Sequence, residues 1–416
     1  MQDTYYYKFI KYGFWALLFF TIWGTDIPFS KSTIDAEPET SSSFINQFLY
    51  SGLFFISVIA ILPRKSEFYK VIKREKFLFI FILFSLISML WSDYSFVTFK
   101  RIFQIMAIYV STICFLLYMD SSEEVLKPIK YILYPYLFLT IIAVLIIPQA
   151  RQGPFMWQGF TTNKNTLGQM GFISIILCYI IYKNEITQLK KILAIFFIFL
   201  SAVITIGSHS STSLIILLFL IGLGTLTTFD SLFTKIRIGK TISSITIVTF
   251  ITLVVTVMIW DPQMESTIPE LFGKDASFSG RTELWDYLIN IKHINPVLGS
   301  GYGAFWVPES EKISGVYEIF LFLPGQAHNG YIDIYLSTGY VGFIIMILIL
   351  LNYFINYIKI KKPHPWILFI LATVIVDFQE SAILRYGHPV NFIFIFSYLI
   401  LFVNNSFSWI AKENLD

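Results

Sequence analysis

Residues 277–306 read SFSGRTELWDYLINIKHINPVLGSGYGAFW, and residues 327–343 read AHNGYIDIYLSTGYVGF. The first stretch belongs to a long polar loop, and the second begins polar and continues into an apolar run. Arg281 and His328 bracket this loop, and nearly everything before and after it has the hydrophobic character of membrane spans. We therefore expect the loop to cover a cavity at one face of a membrane bundle and to hold the functional site.

The composition of the chain is that of a polytopic membrane protein. Of its 416 residues, 56% are hydrophobic and 14% are charged, whereas soluble proteins carry about 25% charged residues. The net charge of +3 is too small to indicate a nucleic-acid partner. The two cysteines, Cys114 and Cys178, lie far apart in apolar runs, so they predict neither a disulfide framework nor a metal site.

The hydrophobic runs predict an all-α fold with about 12 transmembrane helices, because one crossing needs about 20 apolar residues. The predicted spans are 9–25, 45–63, 76–92, 101–118, 128–148, 165–182, 190–207, 211–229, 241–260, 329–355, 364–380 and 389–404. They divide the chain into an N-terminal membrane bundle (1–260), one large extracytoplasmic loop containing amphipathic helices (261–328), and C-terminal membrane helices (329–416).

The distribution of basic residues predicts the orientation of these spans. With the N-terminus in the cytoplasm, the inner segments hold about twice as many Lys and Arg residues as the outer ones, as the positive-inside rule requires. An even number of spans then places both termini in the cytoplasm. The polar motifs described below all fall on the outer side, and we expect the site there.

The segment 280–293, GRTELWDYLINIKH, predicts an amphipathic helix lying along the membrane surface, because its apolar residues, including Leu284 and Leu288, recur at helical spacing. Arg281 falls in the first turn, where the helix dipole disfavours a cation. It is either a solvated arginine that reaches toward lipid headgroups or part of an anion site that binds phosphate. The unfavourable dipole favours the anion site.

His328 opens the helix that follows the loop, with Asn329 beside it and Asp333 about one turn further on. A single histidine at a membrane interface is typically a hydrogen-bonded structural residue. An ionisable residue inside a span is costly, however, and is usually functional. Asp333 lies five positions after His328 and therefore on another face of the helix, so the spacing leaves a His–Asp pair open.

The outer loop 149–168 combines cations, aromatic rings and amides. Rings stack against sugars and amides hydrogen-bond to them, so this composition indicates sugar contacts; an ordinary aromatic belt at the membrane interface is the alternative. The residues concerned are Arg151, Trp157, Asn163, Lys164 and Asn165.

Two further outer segments contribute charged groups. Arg101, together with Lys100, forms an adjacent basic pair, and the short loop before the last span contains Asp377, Glu380 and Arg385. A salt-bridged loop is the simplest explanation of the second group. Cations that depart from the positive-inside bias need an anionic partner, and a lipid diphosphate arriving in the plane of the membrane would supply one.

At these residues the chain resembles the family of O-antigen ligases and O-antigen or exopolysaccharide polymerases. The similarity is clearest in SGRTELW (279–285), PVLGSGYGAFW (296–306) and HNGYID with GYVG (328–342), and weaker echoes thread through most of the chain. Ligase members often carry Ser-Arg where this chain has Ser210-Ser211. The NKN and GYGAFW segments are more similar to exopolysaccharide polymerases.

The resemblance implies a metal-independent, cofactor-free glycosyltransferase of the bacterial inner membrane with its active site on the periplasmic side. Its substrates would be an undecaprenyl-diphosphate-linked oligosaccharide and an acceptor glycan, and a chain-length regulator would be a partner. The implied catalytic residues are Arg281 and His328, with Glu380 as a second candidate base. We assign diphosphate binding to Arg281, Lys164, Arg151 and Arg101, and sugar binding to Trp157, Asn163, Asn165, Tyr302 and Asn329.

Three functions follow from these observations. A polymerase would join repeat units, whereas a ligase would move a finished glycan onto lipid A–core or another acceptor; the two share donor chemistry. A transporter of glycans or lipids would show internal repeats and ionisable groups at the middle of the membrane, and the sequence shows neither. We therefore expect a polymerase first and a ligase second.

Overall fold

The computed structural model describes residues 2–24, 44–153, 155–233, 281–292, 294–308, 310–320, 325–360 and 364–403. The predicted ninth span (241–260) and the predicted loop segment 261–280 lie outside these residues. The described chain is built from helices, as the hydrophobic periodicity predicts. They are α1 (Gln2–Trp23), α2 (Phe44–Ile61), α3 (Lys65–Glu75), α4 (Phe77–Ile87), α5 (Ser95–Tyr118), α6 (Ser122–Ile146), α7 (Lys164–Asn184), α8 (Gln188–Gly207), α9 (Ser211–Phe233), α10 (Arg281–Ile289), α11 (Glu311–Phe320), α12 (Gly330–Lys359), α13 (Ile367–Val376) and α14 (Pro389–Val403).

Six helical runs in the described part of the chain are long and apolar enough to cross a membrane. They are Ile45–Glu75, Ser95–Tyr118, Ser122–Ile146, Lys164–Asn184, Gln188–Gly207 and Gly330–Lys359. Four apolar helices are shorter than these, and α13 and α14 are among them. The structure therefore confirms an all-helical chain with several membrane-length helices, and a count of 12 spans stays a prediction.

Two segments differ from the sequence-based expectation. The connection predicted over 64–76 is helical, because α3 continues α2 through a single 3-10 turn. The predicted span 364–380 is helical over Ile367–Val376 alone, and the chain then turns into a loop that reaches α14. This second difference places Glu380 in a loop outside the membrane helices.

The centre of the bundle is formed by α14 and α5. Every residue from Val390 to Phe402 is buried, and most of α5 is buried as well. A helix that is apolar on all sides is stable when other helices surround it. Phe14 of α1 stacks on Phe115 of α5 with ring centroids 3.7 Å apart, so the first helix packs directly on this centre.

Gly339 interrupts α12, with φ 62° and ψ −165°. The polar loop packs against this break, at Val297 and Leu298. A Cβ at Gly339 would lie 2.3 Å from the Val297 carbonyl oxygen. The Tyr340 amide donates to Pro296 O at 2.9 Å, so the break in α12 holds the loop by its backbone.

The same loop is attached to the turn between α4 and α5. The Tyr302 amide donates to Ser88 Oγ at 2.9 Å, and Trp91 Nε1 donates to Leu298 O at 3.3 Å. Lys312 Nζ lies 2.6 Å from Asp93 Oδ2. These contacts fix the loop over one end of the bundle.

Helix α10 forms where an amphipathic helix is predicted, and its apolar residues pack on protein. Leu284 and Leu288 are buried, at 3% and 0% exposure, in a cluster that includes Phe305 and Leu336. The apolar stripe expected at the membrane interface is therefore covered by the loop and by α12. This packing fixes the position of Arg281, the first residue of α10.

We predict that Gly339→Ala destabilises the protein, because alanine is strained at φ 62° and its Cβ would meet the loop backbone. The melting temperature of the purified protein in detergent should fall. Gly52→Ala is the matched control, since it lies in α2 with nothing within 4 Å of the added Cβ. An equal or smaller loss in Gly339→Ala than in the control would contradict the proposed role of this glycine.

Candidate active site

The loop from Asp377 to His388, between α13 and α14, carries the centre of the site. Asp377 shapes it, since Oδ1 accepts from the amides of Ala382 and Ile383, both at 2.8 Å. The Gly330 amide donates to Asp377 O at 2.7 Å, which joins the loop to the start of α12. These bonds position Glu380.

The Glu380 carboxylate is the point where several segments of the chain meet. Its Oε1 accepts from Asn165 Nδ2 at 3.0 Å and lies 3.6 Å from Arg281 NH2. Its Oε2 accepts from Gln326 Nε2 at 3.2 Å and lies 3.1 Å from His328 Nδ1. The Glu380 side chain is 7% exposed, so these groups replace the water that a buried carboxylate would otherwise need.

His328 is held in an uncommon backbone conformation, with φ 51°. Such left-handed geometry is rare for residues other than glycine and is concentrated at functional sites. The next residue, Asn329, caps α12: its side-chain oxygen accepts from the amides of Tyr331 and Ile332 at 3.1 and 3.2 Å. This cap fixes the direction of the chain just after His328, and Nδ1 of His328 lies 3.1 Å from Glu380 Oε2.

Arg281 reaches the site from the start of α10. Its NH1 donates to Gln379 O at 2.9 Å, and its side chain is 18% exposed. Within the same helix, Trp285 Nε1 donates to Ala327 O at 2.7 Å, which ties α10 to the residue before His328. The arginine and the histidine predicted from sequence are therefore brought to one carboxylate.

Gln326 and Arg385 extend the site on the other side. Arg385 NH1 donates to the side-chain oxygen of Gln326. The side-chain nitrogen of Gln326 therefore faces Glu380. Arg385 NH1 also lies 4.0 Å from Asp333 Oδ2, and Trp306 Nε1 donates to Asp333 Oδ1 at 2.7 Å. Asp333 thus contacts Arg385 and not His328, which answers the question that its spacing left open.

The electrostatic environment keeps Glu380 ionised at neutral pH. Burial by itself raises the pKa of the carboxyl group. The hydrogen bond from His328 and the positive charges of His328 and Arg281 outweigh burial and lower the pKa below its ordinary value. Because an ionised carboxylate can only accept, the contact at 3.1 Å calls for a proton on His328 Nδ1, and in the neutral form of the ring the unprotonated nitrogen is then Nε2.

The other cations assigned to diphosphate binding occupy different surroundings. Arg101 is 1% exposed, donates to Gly303 O, and lies 4.4 Å from the centre of the Tyr386 ring. Arg151 is exposed, and its Nε donates to Val144 O at 2.7 Å near the end of α6. Neither is joined to the Glu380 group by these contacts, and the burial of Arg101 indicates a packing role.

Lys164 begins α7, one residue before Asn165, and its Nζ lies 3.3 Å from Met156 Sδ. It is half-buried and adjacent in sequence to an amide that contacts Glu380. Of the three cations predicted to assist Arg281, Lys164 is therefore the one whose sequence neighbour, Asn165, contacts Glu380.

Most residues assigned to sugar binding have local structural contacts. Asn163 caps α7 through Thr166 N at 2.9 Å, and Asn329 caps α12 as described above. The Trp157 ring covers Gly207, where an added Cβ would lie 2.3 Å from a ring carbon. Tyr302 is 4% exposed and donates to Leu384 O. Asn165, in contrast, belongs to the Glu380 group.

Gln326 was not among the residues predicted from sequence, and Arg385 was predicted only as part of a salt-bridged loop. Gln326 lies two residues before His328, in the segment that leads into α12. A polar side chain at that position is the feature of the sequence that could have indicated it. Arg385 is the single arginine of the last predicted outer loop. Neither signal reveals that the two side chains bond to each other.

Together the fold and the site define an integral membrane protein with an arginine, a carboxylate and a histidine gathered at one end of a helical bundle. Such a set can place positive charge beside an anionic group and can accept a proton from a bound hydroxyl. Both abilities are those needed to transfer a group away from a phosphate-bearing carrier.

Residues 194–347 match the family described as O-antigen ligase. The exopolysaccharide production protein ExoQ of Rhizobium meliloti (strain 1021) is 29% identical over 137 residues, which cover 30% of this chain and 31% of ExoQ. Over these residues the chain is similar to the O-antigen ligase family and to an exopolysaccharide production protein. The family match includes Arg281 and His328, whereas Glu380 and Asn165 lie outside it.

We predict that Glu380→Gln removes a pH-dependent contribution to stability. A carboxyl group with a lowered folded-state pKa stabilises the protein above the ordinary value of 4.5 and loses that contribution as the pH falls through the folded-state value. The melting temperature of the wild type should therefore decline more steeply below pH 4.5 than that of Glu380→Gln.

The control is Glu283→Gln, which alters an exposed carboxylate on α10. This variant should retain the wild-type pH dependence. If Glu380→Gln and the wild type show parallel profiles, the folded site does not lower the pKa of Glu380.

Proposed function

We propose that the protein is a polymerase that joins undecaprenyl-diphosphate-linked oligosaccharide repeat units on the outer face of the bacterial cytoplasmic membrane. The observation that carries the proposal is the convergence of Arg281 and His328 on the buried Glu380 carboxylate. The reaction needs a cation for the leaving diphosphate and a base for the acceptor hydroxyl. The site supplies one of each.

In this mechanism Arg281 binds the diphosphate of the donor. A guanidinium has five N–H donors, more than its bond to Gln379 O and its ion pair with Glu380 use. Negative charge grows on the leaving diphosphate in the transition state, and a cation positioned in advance stabilises it there. Packing of α10 against the loop provides that positioning.

His328 accepts the proton of the acceptor hydroxyl at Nε2 while Glu380 holds Nδ1–H. The hydroxyl oxygen forms a bond to the anomeric carbon of the donor sugar, and the bond from that carbon to the diphosphate oxygen breaks with its electron pair. Attack from the face opposite the leaving group inverts the anomeric centre. The positive charge that develops on the imidazole ring is stabilised by the Glu380 carboxylate at 3.1 Å.

Two observations bear on the choice between polymerase and ligase. The relative named above is an exopolysaccharide production protein, which favours polymer assembly. The family match carries the description O-antigen ligase, which favours transfer of a finished glycan to another acceptor. Because the donor chemistry is the same, we retain the ligase as the second candidate and separate the two by their products.

We predict that His328→Ala lowers the rate of glycan transfer by about 10²–10⁴ and that Arg281→Ala lowers it by about 10²–10³. The glycans of strains that carry each variant should be separated as a polymer ladder, with protein levels matched. Accumulation of single lipid-linked repeat units identifies a polymerase, and full-length polymer retained on its lipid carrier identifies a ligase.

The control variant is Lys292→Ala, which removes an exposed cation just after α10. It should leave the ladder unchanged. A normal ladder from both His328→Ala and Arg281→Ala would contradict the catalytic assignment.

We also propose that both termini are cytoplasmic and that the site faces outward. The end of the bundle opposite Glu380 supports this orientation. Asn352, near the end of α12, donates to Glu75 O at 3.2 Å. Helix α7 starts at the site, where Asn165 contacts Glu380, and ends at Asn184. The basic segments 64–76 and 183–191 therefore lie at that opposite end, where the positive-inside rule requires cytoplasm.

Cysteine labelling in intact cells should confirm the orientation. The two native cysteines are buried and should react little. A membrane-impermeant maleimide should label Lys292→Cys and should label Lys70→Cys, an exposed position on α3, only after the membrane is opened. The reverse pattern would place the site in the cytoplasm.

A further inference from the structure

Asp333 is an ionisable residue beside the site that the proposed mechanism does not use. It lies in the first turn of α12, and its side chain is 15% exposed. A carboxylate in such a place is costly unless donors and cations surround it. The groups that surround Asp333 come from three other segments: the polar loop, the approach to α12, and the last loop.

Two of these donors belong to residues that directly adjoin the candidate catalytic pair. The Ala327 amide donates to the two oxygens of Asp333 at 3.1 and 3.2 Å, and Ala327 immediately precedes His328. The Ser381 hydroxyl donates to Asp333 Oδ2, and Ser381 immediately follows Glu380. One carboxylate therefore bonds to the chain neighbours of both His328 and Glu380.

A further contact reaches the same pair through side chains. Arg385 NH1 lies 4.0 Å from Asp333 Oδ2 and donates to the side-chain oxygen of Gln326. The side-chain nitrogen of Gln326 donates at 3.2 Å to Glu380 Oε2, the same oxygen that faces His328 Nδ1. The charge of Asp333 attracts Arg385, and Arg385 in turn orients the amide that contacts Glu380.

The donors around Asp333 require a group with two acceptor oxygens. Trp306 Nε1 donates to Oδ1 at 2.7 Å, and the Ala327 amide contacts both oxygens. An indole N–H and a backbone N–H can only donate. An asparagine has the same size, but it has a single oxygen and no charge. It would lose the attraction for Arg385 and could not accept on both sides.

The backbone at His328 depends on support from its surroundings. Its φ of 51° is uncommon for a residue with a side chain, and such a conformation persists only where neighbouring structure enforces it. The Asn329 cap holds the chain just after His328. The bond from the Ala327 amide to Asp333 holds it just before.

We propose that Asp333 is a positioning residue that sets the contact between His328 Nδ1 and Glu380 Oε2 by holding the chain neighbours of both residues. It acts on the reaction through the imidazole ring, which it keeps turned so that Nδ1–H is bonded and Nε2 is available to the acceptor hydroxyl. The catalytic consequence rests on the proposed function. The effect on the imidazole ring can be measured without any substrate.

The first measurement is the nuclear magnetic resonance signal of the His328 ring nitrogens in purified protein with isotopically labelled histidine. The chain has five histidines, and the signal of His328 is the one that disappears in His328→Ala. The hydrogen bond that one ring nitrogen makes sets which nitrogen carries the proton. For the neutral ring, we expect Asp333→Asn to lower the ratio of Nδ1–H to Nε2–H at least about tenfold, the effect of losing one hydrogen bond to a charged group.

The matched control is Asp286→Asn, which makes the same exchange at an exposed position of α10 and should keep the wild-type signal. If Asp333→Asn does not fold, Ser381→Ala takes its place, since it removes one donor and leaves the other partners of Asp333. This variant should shift the ratio in the same direction by a smaller amount. An unchanged ratio in the folded variant overturns the proposal.

The second measurement separates positioning from a general loss of structure. The kcat and KM of purified protein for the lipid-linked oligosaccharide are compared in the wild type, Asp333→Asn, His328→Ala and the double variant. Positioning predicts that Asp333→Asn lowers kcat by up to about 10²-fold and leaves KM unchanged. In the His328→Ala background it should cost nothing further, because groups that act as a unit are not additive. An equal loss in both backgrounds overturns the proposal.

The two proposals can fail separately. If His328→Ala transfers glycan normally while Asp333→Asn still changes the ring signal, His328 is not the base and the positioning of its ring stands. If His328→Ala abolishes transfer while Asp333→Asn changes neither the ring signal nor kcat, Asp333 is not a positioning residue and the catalytic assignment of His328 stands.

Discussion

The buried carboxylate of Glu380 is the constraint on which the site depends. A charge removed from water must be matched by cations and hydrogen-bond donors, because an uncompensated one costs several kcal/mol. Here the partners come from α7, α10 and the approach to α12, and Glu380 itself lies on the last loop. The carboxylate therefore holds four parts of the chain together, and the lowering of its pKa reflects how strongly they do so.

The sequence allowed the helices and the three central residues of the site to be predicted for different reasons. Hydrophobic runs mark helices because lipid and protein interiors both exclude polar backbone. Arg281, His328 and Glu380 were identifiable because each is an ionisable residue in a mainly apolar chain. Their meeting at one point was implied for Arg281 and His328 by family resemblance, whereas no spacing in the sequence connected Glu380 to Asn165.

The remaining site predictions concern residue types that serve several purposes. Asn163 and Asn329 were chosen as sugar contacts, yet an asparagine that precedes a helix is equally well suited to cap it, and both do so. Arg101 has the charge of a phosphate ligand, and the structure shows that its side chain is buried. The predicted surface helix had the correct amphipathic pattern, but the pattern does not say whether lipid or protein covers the apolar face.

The contact between Asn165 and Glu380 joins residues 215 positions apart. During synthesis, α7 enters the membrane long before the loop that follows α13 exists. A partly made chain therefore has its arginine and histidine without the carboxylate that orients them. The site becomes complete only when the last helices are in place, so under the proposed function a nascent or truncated chain would not transfer glycan.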